Sequence, residues 1–173
     1  MTPEGIEIRR MRPEDEEEVS RLYVKSWREG YKGLLPQEYL DGLDGWRWNK
    51  KFTGLDGSFV LTYGGRIAGH SCARASADKE MNGWGEVWTL YVLPEYWGQG
   101  FGTALLDNAE KWLSGLGFGD IYLGALETNV RARRFYESRG FSPGADTLQC
   151  GIAGITVTDV RYTKDIRGKL WQK

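Results

Sequence analysis

Apolar and polar positions first alternate, then cycle at helical spacing, then alternate again. Ile6-Glu7-Ile8-Arg9-Arg10-Met11 alternates in part, which predicts a short strand. Arg12-Pro13-Glu14-Asp15 opens a helix, with proline in the first turn and acids at the positive end of the helix dipole. Val19, Leu22, Tyr23, Ser26 and Trp27 recur at helical spacing, and Gly30 and Gly33 close that helix. A second helix opens at Pro36, carries Tyr39, Leu40 and Leu43, and is expected to continue, broken, through Trp46, Trp48 and Phe52.

Ser58 to Tyr63 reads as a strand, Gly64-Gly65 as a two-residue hairpin turn, and Ile67 to Ala77 as the returning strand. Glu86 to Leu93 is a third strand, ended by Pro94. Ala104, Leu105, Ala109, Trp112, Leu113 and Leu116 mark a helix from Gly100 to Leu116. Ile121 to Leu126 is a short apolar strand. Asn129 to Arg139 is a helix with Ala132, Phe135 and Tyr136 on one face and Gly140 as its stop. Two strands follow, around Thr147–Cys150 and Ile155–Lys164. The order β-α-α-β-β-β-α-β-α-β-β predicts an α/β fold with a mixed, mainly antiparallel sheet. The stretch from 86 to 126 has the length of a parallel strand–helix–strand crossover.

Charge and composition narrow the function classes. Lys and Arg number 23 against 24 Asp and Glu, a net charge of −1, which excludes nucleic-acid binding by bulk charge. The same balance gives no reason to expect an anionic membrane as partner. Met1-Thr2-Pro3-Glu4-Gly5 lacks the features of a signal peptide, and no apolar run approaches the ~18 residues of a membrane helix, so a cytoplasmic protein is expected. The length of 173 residues predicts one domain over 1–173. Cys72 and Cys150 lack metal-ligand spacing, read as small hydrophobes, and imply no metal. Glycine is the outlier: 24 residues, about twice the usual ~7%, signal tight turns or backbone that approaches something closely.

Three of those glycines fall in one place. A strand ends at Leu93-Pro94, and Gly98-Gln99-Gly100-Phe101-Gly102-Thr103 then runs into an amphipathic helix. Backbone there can lie against a bulky anion, with the free N–H groups of the first helical turn and the dipole aimed at it. The spacing is neither G-x-G-x-x-G nor a P-loop. The plain alternative is a glycine-rich turn, although each glycine in a helix is unfavourable by about 0.5–1 kcal/mol.

A second motif follows, Glu127-Thr128-Asn129-Val130-Arg131-Ala132-Arg133-Arg134-Phe135-Tyr136-Glu137-Ser138-Arg139-Gly140-Phe141. Val92-Leu93-Pro94, Gly100-Phe101-Gly102, Asn129, Ala132, Phe135-Tyr136 and Gly140-Phe141 together resemble the GNAT superfamily of acetyl-CoA-dependent N-acetyltransferases. The resemblance extends to the element order over residues 6–164. It implies a central mixed, mostly antiparallel sheet of about seven strands with helices on both faces. It implies that acetyl-CoA binds between the strands at 86–93 and 121–126. The pyrophosphate would meet the amides of Gly98, Gln99, Gly100, Phe101, Gly102 and Thr103. The pantetheine arm would pair with Leu90, Tyr91 and Val92, and Asn129 would hydrogen-bond the cofactor. Tyr136 would protonate the leaving thiolate. One position departs from the family pattern: Trp97 stands where Arg or Gln is usual.

An acceptor amine also needs a base. Glu86 lies in an otherwise apolar strand, where a carboxylate is unfavourable unless paired or facing a cleft, and several family members carry a glutamate there. Others use one on the following strand, where this chain has Gly124. Glu86 is therefore the expected base, with an ion pair to a lysine or arginine as the plain alternative. His70, the single histidine, reads as structural or surface. Arg131, Arg133 and Arg134 read first as a solvated face, and Trp27, Tyr31, Trp84 and Trp88 as core before acceptor pocket. No Cys or Ser beside a His suggests a covalent intermediate, so direct transfer to a small-molecule or peptide amine is expected. A catalytically silent acyl-CoA-binding module is the rival reading. The C-terminal strands and the segment 46–52 are where an edge-to-edge homodimer contact would form.

Overall fold

In the computed structural model, which describes residues 4–45, 48 and 50–169, Gly64 and Gly65 turn the chain between β2 (Ser58–Tyr63) and β3 (Arg66–Ala75). Their φ angles of 56° and 77° are the two left-handed positions a two-residue hairpin requires. β1 (Ile6–Arg10) lies antiparallel on the other side of β2, with Ile8 opposite Leu61. β4 (Gly85–Val92) runs parallel to β5 (Asp120–Leu126), with Glu86 opposite Tyr122. β6 (Ser142–Ile152) and β7 (Ile155–Asp165) form a hairpin, and β7 pairs antiparallel with β5. The strands hydrogen-bond in the order β1-β2-β3-β4-β5-β7-β6, a seven-stranded mixed sheet as expected.

The helices are α1 (Glu16–Gly30), α2 (Gln37–Asp41), α3 (Phe101–Gly115) and α4 (Val130–Ser138). A short 3₁₀ turn over Pro13–Asp15 precedes α1. The Asp15 carboxylate accepts from the Arg12 amide at 2.8 Å and from both terminal nitrogens of Arg9 at 2.7 and 2.8 Å. The Arg9 guanidinium holds its pKa below the usual carboxylate value.

Two expectations are corrected. α2 ends at Asp41 and does not continue through Trp48 and Phe52, which are buried in non-helical segments; Trp46 lies outside the described residues. Their aromatic spacing came from packing onto α1 instead of from a helical period: Tyr23 lies 5.1 Å from Phe52 and 5.5 Å from Trp48 between ring centroids. β6 begins at Ser142, ahead of the expected Thr147, because its register with β7 extends to Ser142 opposite Thr163 across an irregularity that no apolar period marks.

The chain divides into two compact units: Met1–Ala73 with Thr89–Ala109, and Arg74–Trp88 with Glu110–Lys173. Within the second, Glu110 is fully buried, and its two carboxylate oxygens take Lys164 at 2.7 Å and Lys169 at 2.6 Å. Among the described residues, no helix is long and apolar enough to cross a membrane.

The core of the first unit contains a polar chain. His70, 0% exposed, meets Tyr23 Oη at Nδ1 and Ser58 Oγ at Nε2, both at 2.9 Å. Tyr23 donates its only proton to Thr89 Oγ1 at 2.8 Å. Ser58 Oγ also lies 3.4 Å from Met11 Sδ, and the neutral imidazole donates through one ring nitrogen and accepts through the other. Burial disfavours the imidazolium and lowers the His70 pKa to about 3. The unfolded chain binds this proton below about pH 6.5, whereas the folded chain does so only near pH 3. Stability from this group is thus complete above pH 6.5 and lost on acidification, with a slope approaching about 1.4 kcal/mol per pH unit. Urea unfolding at pH 7.5, 6.5 and 5.5 should show that loss in the wild type, and His70→Gln should flatten it.

Candidate active site

The glycine loop belongs to the first unit. After β4, the Trp97 indole N–H reaches back to the Val92 carbonyl at 2.7 Å, and the Gln99 side-chain amide donates to the Glu95 carbonyl at 2.7 Å. Trp97 thus supplies a neutral strut where the family pattern has Arg or Gln. Gly98 and Gly100 take φ of 74° and 86°, conformations that L side chains avoid. The Ala104 amide bonds the Gly100 carbonyl at 3.0 Å, closing the first turn of α3. The amides of Phe101, Gly102 and Thr103 therefore belong to the turn whose N–H groups have no partner within the helix.

That helix end is held by an apolar cluster of Leu61, Ala68, Val92, Phe101, Ala104 and Leu105. The Phe101 ring stacks on Tyr96 at 4.9 Å, with planes 13° apart. Gly69 permits the packing: a methyl group there would lie 2.7 Å from Leu105 Cδ1 and 3.2 Å from the Tyr91 carbonyl. In the expected pantetheine strand, the Val92 carbonyl also accepts Ser26 Oγ at 3.2 Å, so both its lone pairs are engaged. The Tyr91 hydroxyl meets that of Tyr31 at 3.1 Å.

The second unit carries the titratable groups. Register and the two-residue period of strands place Glu86 of β4, Tyr122, Gly124 and Leu126 of β5, and Asp159 and Arg161 of β7 on one sheet face. The Glu86 carboxylate accepts from Arg74 Nε at 2.8 Å, and the Arg74 guanidinium carbon lies 3.8 Å from the Trp88 ring centroid. The Tyr122 and Ser76 hydroxyls meet at 2.8 Å, and burial is the first cause raising the Tyr122 pKa. Arg161 is buried, donates to Asp78 at 2.6 Å and lies 5.6 Å from the Tyr122 ring centroid.

α4 presents the second motif. Asn129 caps it, its Oδ1 accepting from the Ala132 amide at 3.1 Å, so the group it can offer a ligand is its Nδ2 amide. Tyr136 is half-buried among the rings of Phe135, Phe141 and Tyr162, at 5.3, 6.0 and 6.4 Å. Tyr162 locks that helix to β7: its hydroxyl accepts from Arg133 Nε and donates to Glu137, both at 2.8 Å. Arg133 therefore has a structural role.

The first unit thus brings Leu90, Tyr91, Val92 and the loop Gly98–Thr103 into one segment, and the second holds Glu86, Asn129 and Tyr136. Glu86 has the arginine partner named above as the plain alternative. The sequence reading missed Asp159, a half-buried carboxyl whose pKa burial raises to about 6. Its only sequence signal is an acid next to Val160 in an alternating strand. Among the described residues, no group of three or more His, Cys, Asp or Glu is placed to hold a metal ion.

A model of the acetyltransferase (GNAT) family matches residues 17–141. An uncharacterised N-acetyltransferase of Bacillus subtilis (strain 168), YuaI, is 28% identical over 161 residues, 90% of each chain. The spermidine N(1)-acetyltransferase of Thermoplasma acidophilum is 26% identical over 142 residues, 79% of this chain and 88% of that one. Among solved structures, the PaiA N-acetyltransferase of Thermoplasma acidophilum in complex with coenzyme A superposes with a TM-score of 0.72. It shares 22% identity and covers 92% of this chain and 98% of that one.

The loop geometry separates its three glycines. Gly98→Ala and Gly100→Ala should each destabilise the fold by about 1–2 kcal/mol in urea unfolding, whereas Gly102→Ala, inside the helix, should be neutral or stabilise by up to about 1 kcal/mol.

Proposed function

The chain belongs to the GNAT acetyltransferase family and is an N-acetyltransferase, and from that premise we propose that it moves the acetyl group of acetyl-CoA directly onto a primary amine of a small molecule. Residues 1–173 are read as one acetyltransferase domain. The observation that carries the proposal is the glycine loop running into the N-terminus of a fifteen-residue helix. Amide donors and a helix dipole at one point suit a pyrophosphate without any side-chain cation. Acetyl-CoA, when bound, supplies an activated thioester. In this reading Gly98, Gln99, Gly100, Phe101, Gly102 and Thr103 hold the pyrophosphate. Leu90, Tyr91 and the amide of Val92 align the pantetheine arm, and Asn129 donates through Nδ2.

Tyr136 is assigned the proton donated to the leaving thiolate. A thiol has a pKa near 8.5 and a phenol one near 10, so the phenol can protonate sulfur as negative charge builds on it. Glu86 is assigned a proton from the amine nitrogen, directly or through water. The Arg74 guanidinium, donating to it at 2.8 Å, fixes the position of that carboxylate on the sheet face. Direct transfer is favoured because the chain's one histidine, although bonded to Ser58, lies with it in the core, where neither can reach a substrate. A polyamine is the first acceptor class to try, since one relative acts on spermidine.

The test is release of coenzyme A from acetyl-CoA with a panel of amines that includes spermidine, aminoglycoside-like amines and peptide N-termini. Turnover with at least one small amine is expected. Turnover with none sinks the proposal and favours a silent acyl-CoA-binding module. Tyr136→Phe should lower kcat by about 10²–10⁴-fold with little change in coenzyme A affinity by calorimetry; an unchanged kcat removes Tyr136 from the acid role.

A further inference from the structure

β5 leaves a gap in its row of side chains at Gly124, and β7 fills it. A methyl group added at Gly124 would lie 2.2 Å from Asp159 Oδ2 and 3.1 Å from Asp159 Cγ. The Asp159 carboxylate thus lies across the backbone of β5, where a side chain of that strand would stand. It shares a sheet face with Glu86. Gly124 is two residues, about 7 Å, along β5 from Tyr122, the register partner of Glu86.

An aliphatic amine arrives as an ammonium, with pKa near 10.4 for a lysine-like group. Its nitrogen must lose one proton before it can attack a thioester and a second after the new N–C bond has formed. One carboxylate serves only one of these losses unless it empties between them. We infer, resting on the acetyl-transfer reading above, that Asp159 takes the first proton from the acceptor's ammonium and that Glu86 takes the second.

The two environments suit that division. Burial pushes the Asp159 carboxyl up to about 6, so the group is ionised at neutral pH yet holds a proton better than an ordinary carboxylate. The second transfer, assigned to Glu86, asks less of its base, because nitrogen bonded to the former carbonyl carbon is a far stronger acid than the starting ammonium. Arg161 on its own strand lowers the Asp159 pKa, and Asp159 in turn raises that of the Cys150 thiol on β6. From β5 the neighbours are Gly124 and Leu126, and from β6 Leu148 stands opposite, none of them charged.

The balance closes. The ammonium gives a proton to Asp159, and the freed lone pair forms the N–C bond. The C–S bond breaks with its electron pair on sulfur, which takes the Tyr136 proton. The nitrogen then gives its second proton to Glu86; Glu86 and Asp159 each return a proton to solvent, and Tyr136 takes one back from it. The sum is an ammonium and a thioester converted to an amide, a thiol and one released proton.

The test compares kcat/KM against pH for wild type and Asp159→Asn, with an accepted amine. In wild type the rate should fall on the acid side with a midpoint near 6. Asp159→Asn should lose that dependence and at least about 10²-fold in rate at pH 7, with coenzyme A affinity within twofold. Gly124→Ala, which displaces the carboxylate without removing it, should reproduce the loss. Asp159→Asn with the wild-type rate and the same acid-side fall overturns the inference. A second measurement does not need turnover: ¹³C NMR of the Asp159 carboxyl in the coenzyme A complex, titrated with and without spermidine. The nearby ammonium should move its midpoint to lower pH. No movement overturns the inference even where transfer occurs, whereas movement without transfer to any amine upholds the amine contact and overturns the acetyl-transfer reading.

Discussion

The seating of Phe101 and Leu105 governs the cofactor end of this protein. A helix N-terminus can present amides and dipole to an anion only if the axis is aimed and kept aimed. Here the aim comes from apolar contact: the first turns of α3 press on Leu61, Ala68 and Val92. Gly69 allows Leu105 to come close enough to do so. Removing the Leu105 side chain would lose about 2–5 kcal/mol by the usual cavity arithmetic and would free the helix end to turn. The polar features of the loop are secondary to this. Gly98 and Gly100 shape the approach, and Trp97 ties it to the end of β4, but none of them sets the direction.

Much of this was legible in the sequence because each element has a short period and a clear stop. Gly64-Gly65 dictated a hairpin by conformation alone, and Gly100 to Leu116 announced a helix by its apolar stripe. The two motifs carried the family. What escaped depends on contacts between residues far apart in the chain. Trp48 and Phe52 carry the same aromatic character whether they line a helix or fold over Tyr23. Trp97 looked like a missing cation, and only its indole bond to Val92 shows it to be a strut. The exposed half of β6 has no period to read, since its pairing with β7 is made by backbone. Ser58 and His70 form a hydrogen-bonded pair that their spacing did not suggest, and burial rather than residue type denies them a nucleophilic role.

The candidate site shows the same limit more sharply. Tyr136 and Asn129 were identifiable because a motif fixes them within one helix, and Glu86 because a carboxylate in an apolar strand is conspicuous. Asp159 is conspicuous only once β7 lies against β5. Its neighbourhood is apolar enough to raise its proton affinity, and Arg161 two residues along acts in the opposite direction. Arg74 ties down Glu86 by a direct ion pair, whereas Asp159 lies over the gap at Gly124, so two carboxyl groups on one sheet face are held by different means.

The close approach of Asp159 to Gly124 also constrains how this chain can change. A side chain at 124 and a carboxylate at 159 claim the same volume, since even a methyl group would come within 2.2 Å of the oxygen. The effect of a substitution at either position therefore depends on what stands at the other, the signature of epistasis. A side chain at 124 forces the acid at 159 out of its present place, and only glycine at 124 leaves it there. A lineage passing between these arrangements crosses an intermediate that has either one group displaced by the other or neither present. The two positions are therefore expected to drift as a pair, each holding the other in place over evolutionary time.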